Sequence, residues 1–329
     1  MKALVYTAAR EIQYRDAPAP ARAPGEVLVD IEAVGICGSD MHAYLGHDPR
    51  RVPPLILGHE AVGTVVAGPG AGQRAVLNPL IACGVCDECL GGRQNLCPER
   101  DLVGMYRPGA FAERISIPER NLVPIPPDMD VSHAALTEPA ATSLHAVRLA
   151  GRISHRPLSE TRALVIGAGS IGLFAALALA DHGAARIDLA ETNRLRRDSA
   201  ARTGAVRVLD PAATPPQPSA YDLVVDAVGG RSSRATASAA VRPGGIIVHI
   251  GLLDNEGGLD LRRMTLHEIT CIGTYTYTPV DLRAAVAKLH TGAFGDLAWI
   301  EQRPLSAGPG AFDDLLHGRT AAAKIVLRP

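Results

Sequence analysis

Hydrophobic and polar positions alternate with a short period through the first third of the chain. Lys2-Ala3-Leu4-Val5-Tyr6 predicts an opening strand, and Val27–Ile31 and Ala61–Val66 predict two more. Pro18, Pro20, Pro24, Pro53 and Pro54 break the region; proline removes a backbone donor and stops a regular ladder. Short strands with frequent breaks predict an irregular, β-barrel-like unit. Near Glu138 the period changes. Ala163–Ile166 is an apolar strand-like run, a glycine-rich turn follows, and an apolar helix runs to Ala180. Strands at Arg186–Leu189, Leu223–Asp226 and Ile246–Ile250 come next, with a helix running from Asn193 towards Gly204. Alternating strands and helices predict βαβ units around a parallel sheet. The proline-rich Pro211–Pro218 segment predicts a loop, Asp281–His290 a helix, and Ala323–Leu327 a last strand that returns to the first unit. The expected division is 1–137 with 276–329 for the barrel-like unit and 138–275 for the sheet unit.

The length of 329 residues suits one large or two ordinary domains. Hydrophobic residues make up 47% and charged ones 20%, enough apolar material for substantial cores. A formal net charge of −1 implies no general field for nucleic acid or a membrane surface. The longest apolar run, Leu173–Ala180, is too short to span a bilayer. No leader-like apolar segment follows Met1, so a cytoplasmic protein is expected.

Of six cysteines, four fall in one window: Cys83, Cys86, Cys89 and Cys97, spaced C-x2-C-x2-C-x7-C. Four thiolates so spaced can close a tetrahedral structural zinc site and staple a lobe at about residues 80–100 that has little core of its own. A ferredoxin-type cluster needs a shorter last gap. A nucleic-acid-binding zinc ribbon would need a basic field, yet Asp87, Glu88, Glu99 and Asp101 are acidic. The other chemistry-bearing stretch is Gly35-Ile36-Cys37-Gly38-Ser39-Asp40-Met41-His42, followed by Gly58-His59-Glu60. Cys37, His59 and Glu60 offer one sulfur, one nitrogen and one oxygen, which suits a catalytic zinc with an open position.

Gly167-Ala168-Gly169-Ser170-Ile171-Gly172 follows a strand and opens a helix, and Glu191 lies about 20 residues downstream. Such glycines let backbone approach a pyrophosphate, and the helix N-terminus supplies donors. Glu191 would bind the adenosine ribose hydroxyls and repel a 2′-phosphate, which favours NAD; Arg194, Arg196 and Arg197 keep NADP open. Gly229 and Gly251, just past strand ends, leave room for a ligand at that edge of the sheet.

These motifs, in this order, resemble the zinc-dependent medium-chain alcohol and polyol dehydrogenases, with Glu138-Pro139 as a further matching element. The likeness covers essentially the whole chain. It implies a GroES-like irregular β-barrel catalytic domain and a Rossmann doubly wound sheet (α/β), with the active site between them. It implies two zinc ions per chain: a catalytic one on Cys37, His59, Glu60 and Glu138, and a structural one on the four cysteines. Glu60 and Glu138 would act directly or through water. Asp40 would orient His59, Ser39 would take the substrate hydroxyl proton, and His42 would pass it to solvent. Thr142, Val228, Gly251, Thr274 and Arg196 join Gly167, Gly169, Ser170, Ile171, Gly172 and Glu191 as expected cofactor contacts. Tyr44, Tyr275 and Tyr277 are candidates for a polar substrate pocket. Glutamate at 138, where the ethanol branch has cysteine, points to the polyol branch. The implied substrate is a polyol, sugar alcohol or other secondary alcohol, with threonine or another amino alcohol as the alternative, and the implied assembly is a homodimer or homotetramer. A non-catalytic, redox-sensing dinucleotide binder is a different class, and Ser39, His42 and the full ligand set argue against it. The chain is short for the family: the turn at Val66–Gly72 is trimmed, and the proline-rich loop stands where a helix is usual.

Overall fold

The computed structural model describes residues 1–329. In the N-terminal part, Lys2–Ala8 pairs antiparallel with Glu11–Asp16 and Leu55–Ile56. A seven-stranded sheet runs in the order Leu122–Pro124, Arg74–Leu77, Glu60–Ala67, Glu26–Gly35, Lys324–Arg328, Ile300–Pro304, and Arg114–Pro118 also pairs with Glu26–Gly35. Glu26–Gly35 shows why such a strand forms. Val27, Val29, Ile31 and Ala33 are buried on one face while the residues between them are half-exposed, the pattern of a half-buried antiparallel strand. Leu4, Val29, Leu57, Phe111, Phe312 and Ile325 fill the core of this half.

The second half is a six-stranded parallel sheet in the order Arg207–Leu209, Arg186–Ala190, Arg162–Ile166, Tyr221–Asp226, Val241–His249, Thr270–Gly273. Chain direction across the sheet reverses between Arg162–Ile166 and Tyr221–Asp226. A crevice therefore opens beyond the carboxyl ends of those two strands, where such sheets take ligands. The helix Ser170–Asp181 is buried along most of its length, as expected of a helix packed on several sides. The long helix Thr137–Ile153 lies against it, and Ser143 Oγ donates to Ile171 O at 2.8 Å.

The helix Pro279–His290 starts on a Thr278/Asp281 capping box with proline in its first turn. Leu282, Ala285, Val286 and Leu289 enter the core shared with Thr137–Ile153. Phe294 and Trp299 then stack edge-on against Phe174, 5.2 and 5.0 Å between ring centroids. This helix lies against Thr137–Ile153 and Val131–Ala134. The barrel sheet resumes only at Ile300–Pro304. An amphipathic stripe goes where its apolar side finds cover, and chain order does not reveal which side that is. No helix is long and apolar enough to cross a membrane.

Candidate active site and metal centres

Cys37 is the N-cap of the short helix Gly38–Tyr44. Its N–H donates to Asp40 Oδ2 at 3.0 Å, and Ser39 N–H donates to Cys37 Sγ at 3.5 Å. Asp40 is fully buried, and its other oxygen accepts from Gly58 N–H at 3.4 Å and lies 3.4 Å from His59 Nδ1. One carboxylate thus fastens the Cys37 turn to the approach of the strand Glu60–Ala67. The ligand atoms of Cys37, His59 and Glu60 all lie within 4.8 Å of one another. Sulfur, imidazole nitrogen and carboxylate oxygen converging in a buried place fit a zinc ion. Burial alone would depress the His59 pKa, but the Asp40 carboxylate and the Cys37 thiol outweigh it and hold it well above the ordinary value. On the other ring nitrogen, Nε2, Ser39 Oγ is 3.3 Å away.

The second cluster is local. All six cysteines are free of disulfides, and the sulfurs of Cys83, Cys86, Cys89 and Cys97 lie within 4.8 Å of one another. Val85 and Cys86 N–H donate to Cys83 Sγ at 3.5 and 3.4 Å, and Cys83 N–H donates to Cys97 Sγ at 3.4 Å. The first two amides lower the Cys83 pKa to about 6, whereas burial raises that of Cys89 to about 12. Four sulfurs in a closed set fit a tetrahedral structural zinc with no open position.

At the sheet crevice, the glycine turn is shaped by close approach. A Cβ on Gly172 would meet Gly167 O at 1.8 Å, while one on Gly169 would meet nothing within 4 Å. That open side is the cradle a pyrophosphate would fill, next to the first turn of Ser170–Asp181. A Cβ on Gly251 would meet Val228 C at 2.1 Å, so the two strand ends also need a glycine to pass. Glu191 Oε2 accepts from Ala168 N–H at 2.8 Å, which sets the acid against the turn. Thr274 Oγ1 is buried without a partner, as is Arg196 Nε. His42 and His47 from one half and His249 and Gly251 from the other line one cavity of about 740 Å³.

Residues 23–127 match the alcohol dehydrogenase GroES-like domain family and residues 170–291 the zinc-binding dehydrogenase family. The chain is 33% identical over 303 residues to L-galactonate-5-dehydrogenase of Escherichia coli, covering 88% of this chain and 87% of that one. It is 30% identical to L-threonine 3-dehydrogenase of Stenotrophomonas maltophilia over 99% of both. A zinc-binding dehydrogenase of Sinorhizobium meliloti solved with NADP superposes with a TM-score of 0.89 at 29% identity, covering 100% of this chain and 99% of that one. The chain belongs to the zinc-binding alcohol dehydrogenase family. It is a zinc-dependent, NAD(P)-linked oxidoreductase of alcohols.

Within this dehydrogenase, Tyr44 lies elsewhere than the sequence suggests, while Glu138, Thr142 and Tyr277 are buried. Glu138 is buried but stands outside the group of three mutually close ligand atoms. Burial raises its pKa to about 7; His59 opposes the shift and Glu60 adds to it. Thr142 Oγ1 donates back to Glu138 O at 3.2 Å in the same helix. Tyr44, a candidate pocket residue, instead packs its ring on Phe312, 5.2 Å between centroids, in the barrel core. Tyr277 is 2% exposed, and burial and the neighbouring Glu138 raise its pKa well above the ordinary value.

The dehydrogenase also uses residues that motif reading passes over. Lys324 Nζ, on the last strand, donates to both Glu60 oxygens, at 2.7 and 2.6 Å, and to Ile36 O at 2.8 Å. Both side chains are almost completely buried. Gly35 makes the space, since a Cβ there would sit 2.2 Å from Glu60 Oε2. Arg51, 2% exposed, donates to Ser39 Oγ and Ser39 O, each at 3.3 Å, and pairs with Asp48 at 2.6 Å. The available signal for Lys324 was a charge at the head of a terminal strand whose next three residues are apolar.

Proposed function

We propose that Cys37, His59 and Glu60 hold the catalytic zinc and that the enzyme interconverts a polyol, sugar alcohol or related secondary alcohol with its ketone. The observation that carries this reading is the convergence of three unlike ligand atoms within 4.8 Å of one another. Ser39 Oγ against His59 and a cavity bridging the two halves support it. Zinc held by these residues would supply Lewis acidity that lowers the pKa of a substrate hydroxyl, and a bound nicotinamide would supply the hydride acceptor. Asp40 fixes the His59 ring from behind. Ser39 is placed to accept the hydroxyl proton. His42 is half-buried; burial first, then His47 and Arg51 against an opposing Asp48, lower its pKa, and it would pass that proton on. Glu138, outside the close cluster, would act on the metal through a water rather than directly. Glu191 against the glycine turn supports NAD over NADP. The four-cysteine lobe holds the structural zinc.

The free cysteines suit a reducing compartment, and a cytoplasmic location is part of the reading. So is a homodimer or homotetramer: the sheet edge Thr270–Gly273 is unpaired, and Leu261 and Leu266 just before it are 68% and 66% exposed. The test is NADH absorbance with zinc-loaded enzyme over polyols, aldonates, diols and threonine. NADH formation from a secondary alcohol, lost on zinc removal and restored by zinc, is expected. Turnover that survives removal of the labile zinc would overturn the reading.

A further inference from the structure

Arg51 and Asp48 form an ion pair almost wholly out of water, their side chains 1% and 6% exposed. Burying a guanidinium is costly unless its donors are used. Arg51 spends them in three directions. Nε donates to Gly104 O at 3.0 Å, and Nη1 donates to Asp48 Oδ2 at 2.6 Å. The third direction is Ser39: Nη1 reaches its carbonyl and Nη2 its hydroxyl oxygen, each at 3.3 Å. The neighbouring Arg50 bonds the same Asp48 through Nε and Nη2, yet it is 50% exposed and makes no hydrogen bond to Ser39. The contacts to Asp48 and Gly104 already fasten the segment that follows the Cys37 helix. The arm to Ser39 Oγ is a further one, and it meets a group of the reaction.

A serine hydroxyl has one hydrogen to give and two lone pairs, whereas a guanidinium only donates. Arg51 Nη2 therefore takes one lone pair of Ser39 Oγ and cannot receive the hydrogen. His59 Nε2 lies 3.3 Å from the same oxygen. Asp40 stands at Nδ1 of that ring, which leaves Nε2 as the ligand atom; a lone pair given to a metal cannot take the Ser39 hydrogen either. One Oγ lone pair remains for an incoming substrate hydroxyl. The Ser39 hydrogen is left for His42, one turn on in the helix Gly38–Tyr44. The order of transfer is then fixed. As the substrate hydroxyl gives its proton to Ser39 Oγ, Ser39 passes its own hydrogen on and ends neutral.

We propose that Arg51 is a positioning residue of the reaction: by holding one lone pair of Ser39 Oγ, it sets the direction in which that hydroxyl accepts the substrate proton and passes its own. This rests on the reading of Ser39 as the proton acceptor beside Cys37 and His59.

The test is a double-mutant cycle on the zinc-loaded enzyme, using the secondary alcohol that gives NADH in the substrate screen. Ser39→Ala should slow the first turnover by about 100-fold. Arg51→Gln should slow it by about tenfold, with KM for the alcohol within about twofold of wild type. In the Ser39→Ala background, Arg51→Gln should change the rate by less than about twofold, because the hydroxyl it orients is gone. Zinc content and the rise in Tm on adding NAD should match wild type in each variant. Arg50→Gln, which removes a charge from the same Asp48 without touching Ser39, should leave the rate within about twofold. If Arg51→Gln does not fold, Arg51→Lys carries the same cycle: its ammonium keeps the charge beside Asp48 but cannot serve Asp48, Gly104 O and Ser39 Oγ together. A second readout needs no turnover: the NMR signals of the Arg51 guanidinium in the zinc-loaded protein should shift in Ser39→Ala. A wild-type rate in Arg51→Gln, an equal loss in both backgrounds, or guanidinium signals indifferent to Ser39→Ala would overturn the proposal and leave the reaction standing. Full turnover in Ser39→Ala would overturn the reading of Ser39 itself, and the proposal with it.

Discussion

The two cysteine-bearing sites are held in place by different means. The four-cysteine lobe draws all its ligands from residues 83–97, and the donors to its sulfurs are amides of the same loop. The Cys37 site draws on a helix cap, an adjacent strand and, through Lys324, the far end of the chain. The first needs little but its own metal to stay together. The second is built by burial: Asp40, Glu60 and Lys324 are 0%, 0% and 2% exposed. Charges that deep are tolerated only when each has a partner. A closed local set suits a staple, whereas a set assembled by the fold can keep one position open for substrate.

Substitutions can break or sharpen this contrast. Cys37→Ser should lower turnover by about 1,000-fold or more, while the rise in Tm on adding NAD persists. Loss of the NAD effect as well would show that the two halves are not independent. Cys97→Ser should remove one zinc equivalent, and limited proteolysis should then cut first within residues 83–97. Unchanged zinc content would end the idea of a closed lobe.

Lys324→Met leaves Glu60 as an unpaired buried carboxylate. The metal-free protein should lose about 3–5 kcal/mol of stability, and zinc, by compensating Glu60, should restore much of it. Equal losses with and without zinc would mean that Glu60 does not face the metal. Asp40→Asn should weaken zinc binding by about 10–100-fold in a chelator competition, with the four-cysteine zinc retained.

A tertiary ion pair without a metal sets the scale. Asp281 joins His145 Nδ1 at 2.9 Å and also pairs with Arg148. Burial opposes, yet hydrogen bonds from His145 and Thr278 lower its pKa to about 2. A depressed carboxylate stabilises above its unfolded value near 3.9 and stops doing so as pH falls through 2. Asp281→Asn should therefore cost about 1–2 kcal/mol at pH 7, with the gap to wild type closing below about pH 4. A gap independent of pH would assign the effect to packing.

The legible parts of this protein were those whose physics is local. The glycine turn announces itself because Gly172 must pass Gly167 O closely and Gly169 must stay open, and both follow from spacing along one turn. The cysteine lobe is legible for the same reason. The Cys37 turn was readable as a candidate ligand, and His59-Glu60 as its partners, since residue type already limits what they can bind; that Cys37 caps a helix was not. Tyr44 was misread because its position just after the turn says nothing about which way its ring points; the aromatic rings of Phe312 and Phe111, distant in sequence, capture that part of the core.

By itself the sequence determined the two-part architecture and the residue types of the candidate cradle and of the candidate metal ligands, because residue type and short spacing fix them. Only the tertiary structure decided that Lys324 closes on Glu60, that Glu138 lies outside the close group of Cys37, His59 and Glu60, and that Pro279–His290 packs on Thr137–Ile153. Each of those outcomes joins segments far apart in the chain. Their encounter is governed by which apolar faces need cover and which buried charges need partners, and a linear pattern carries neither.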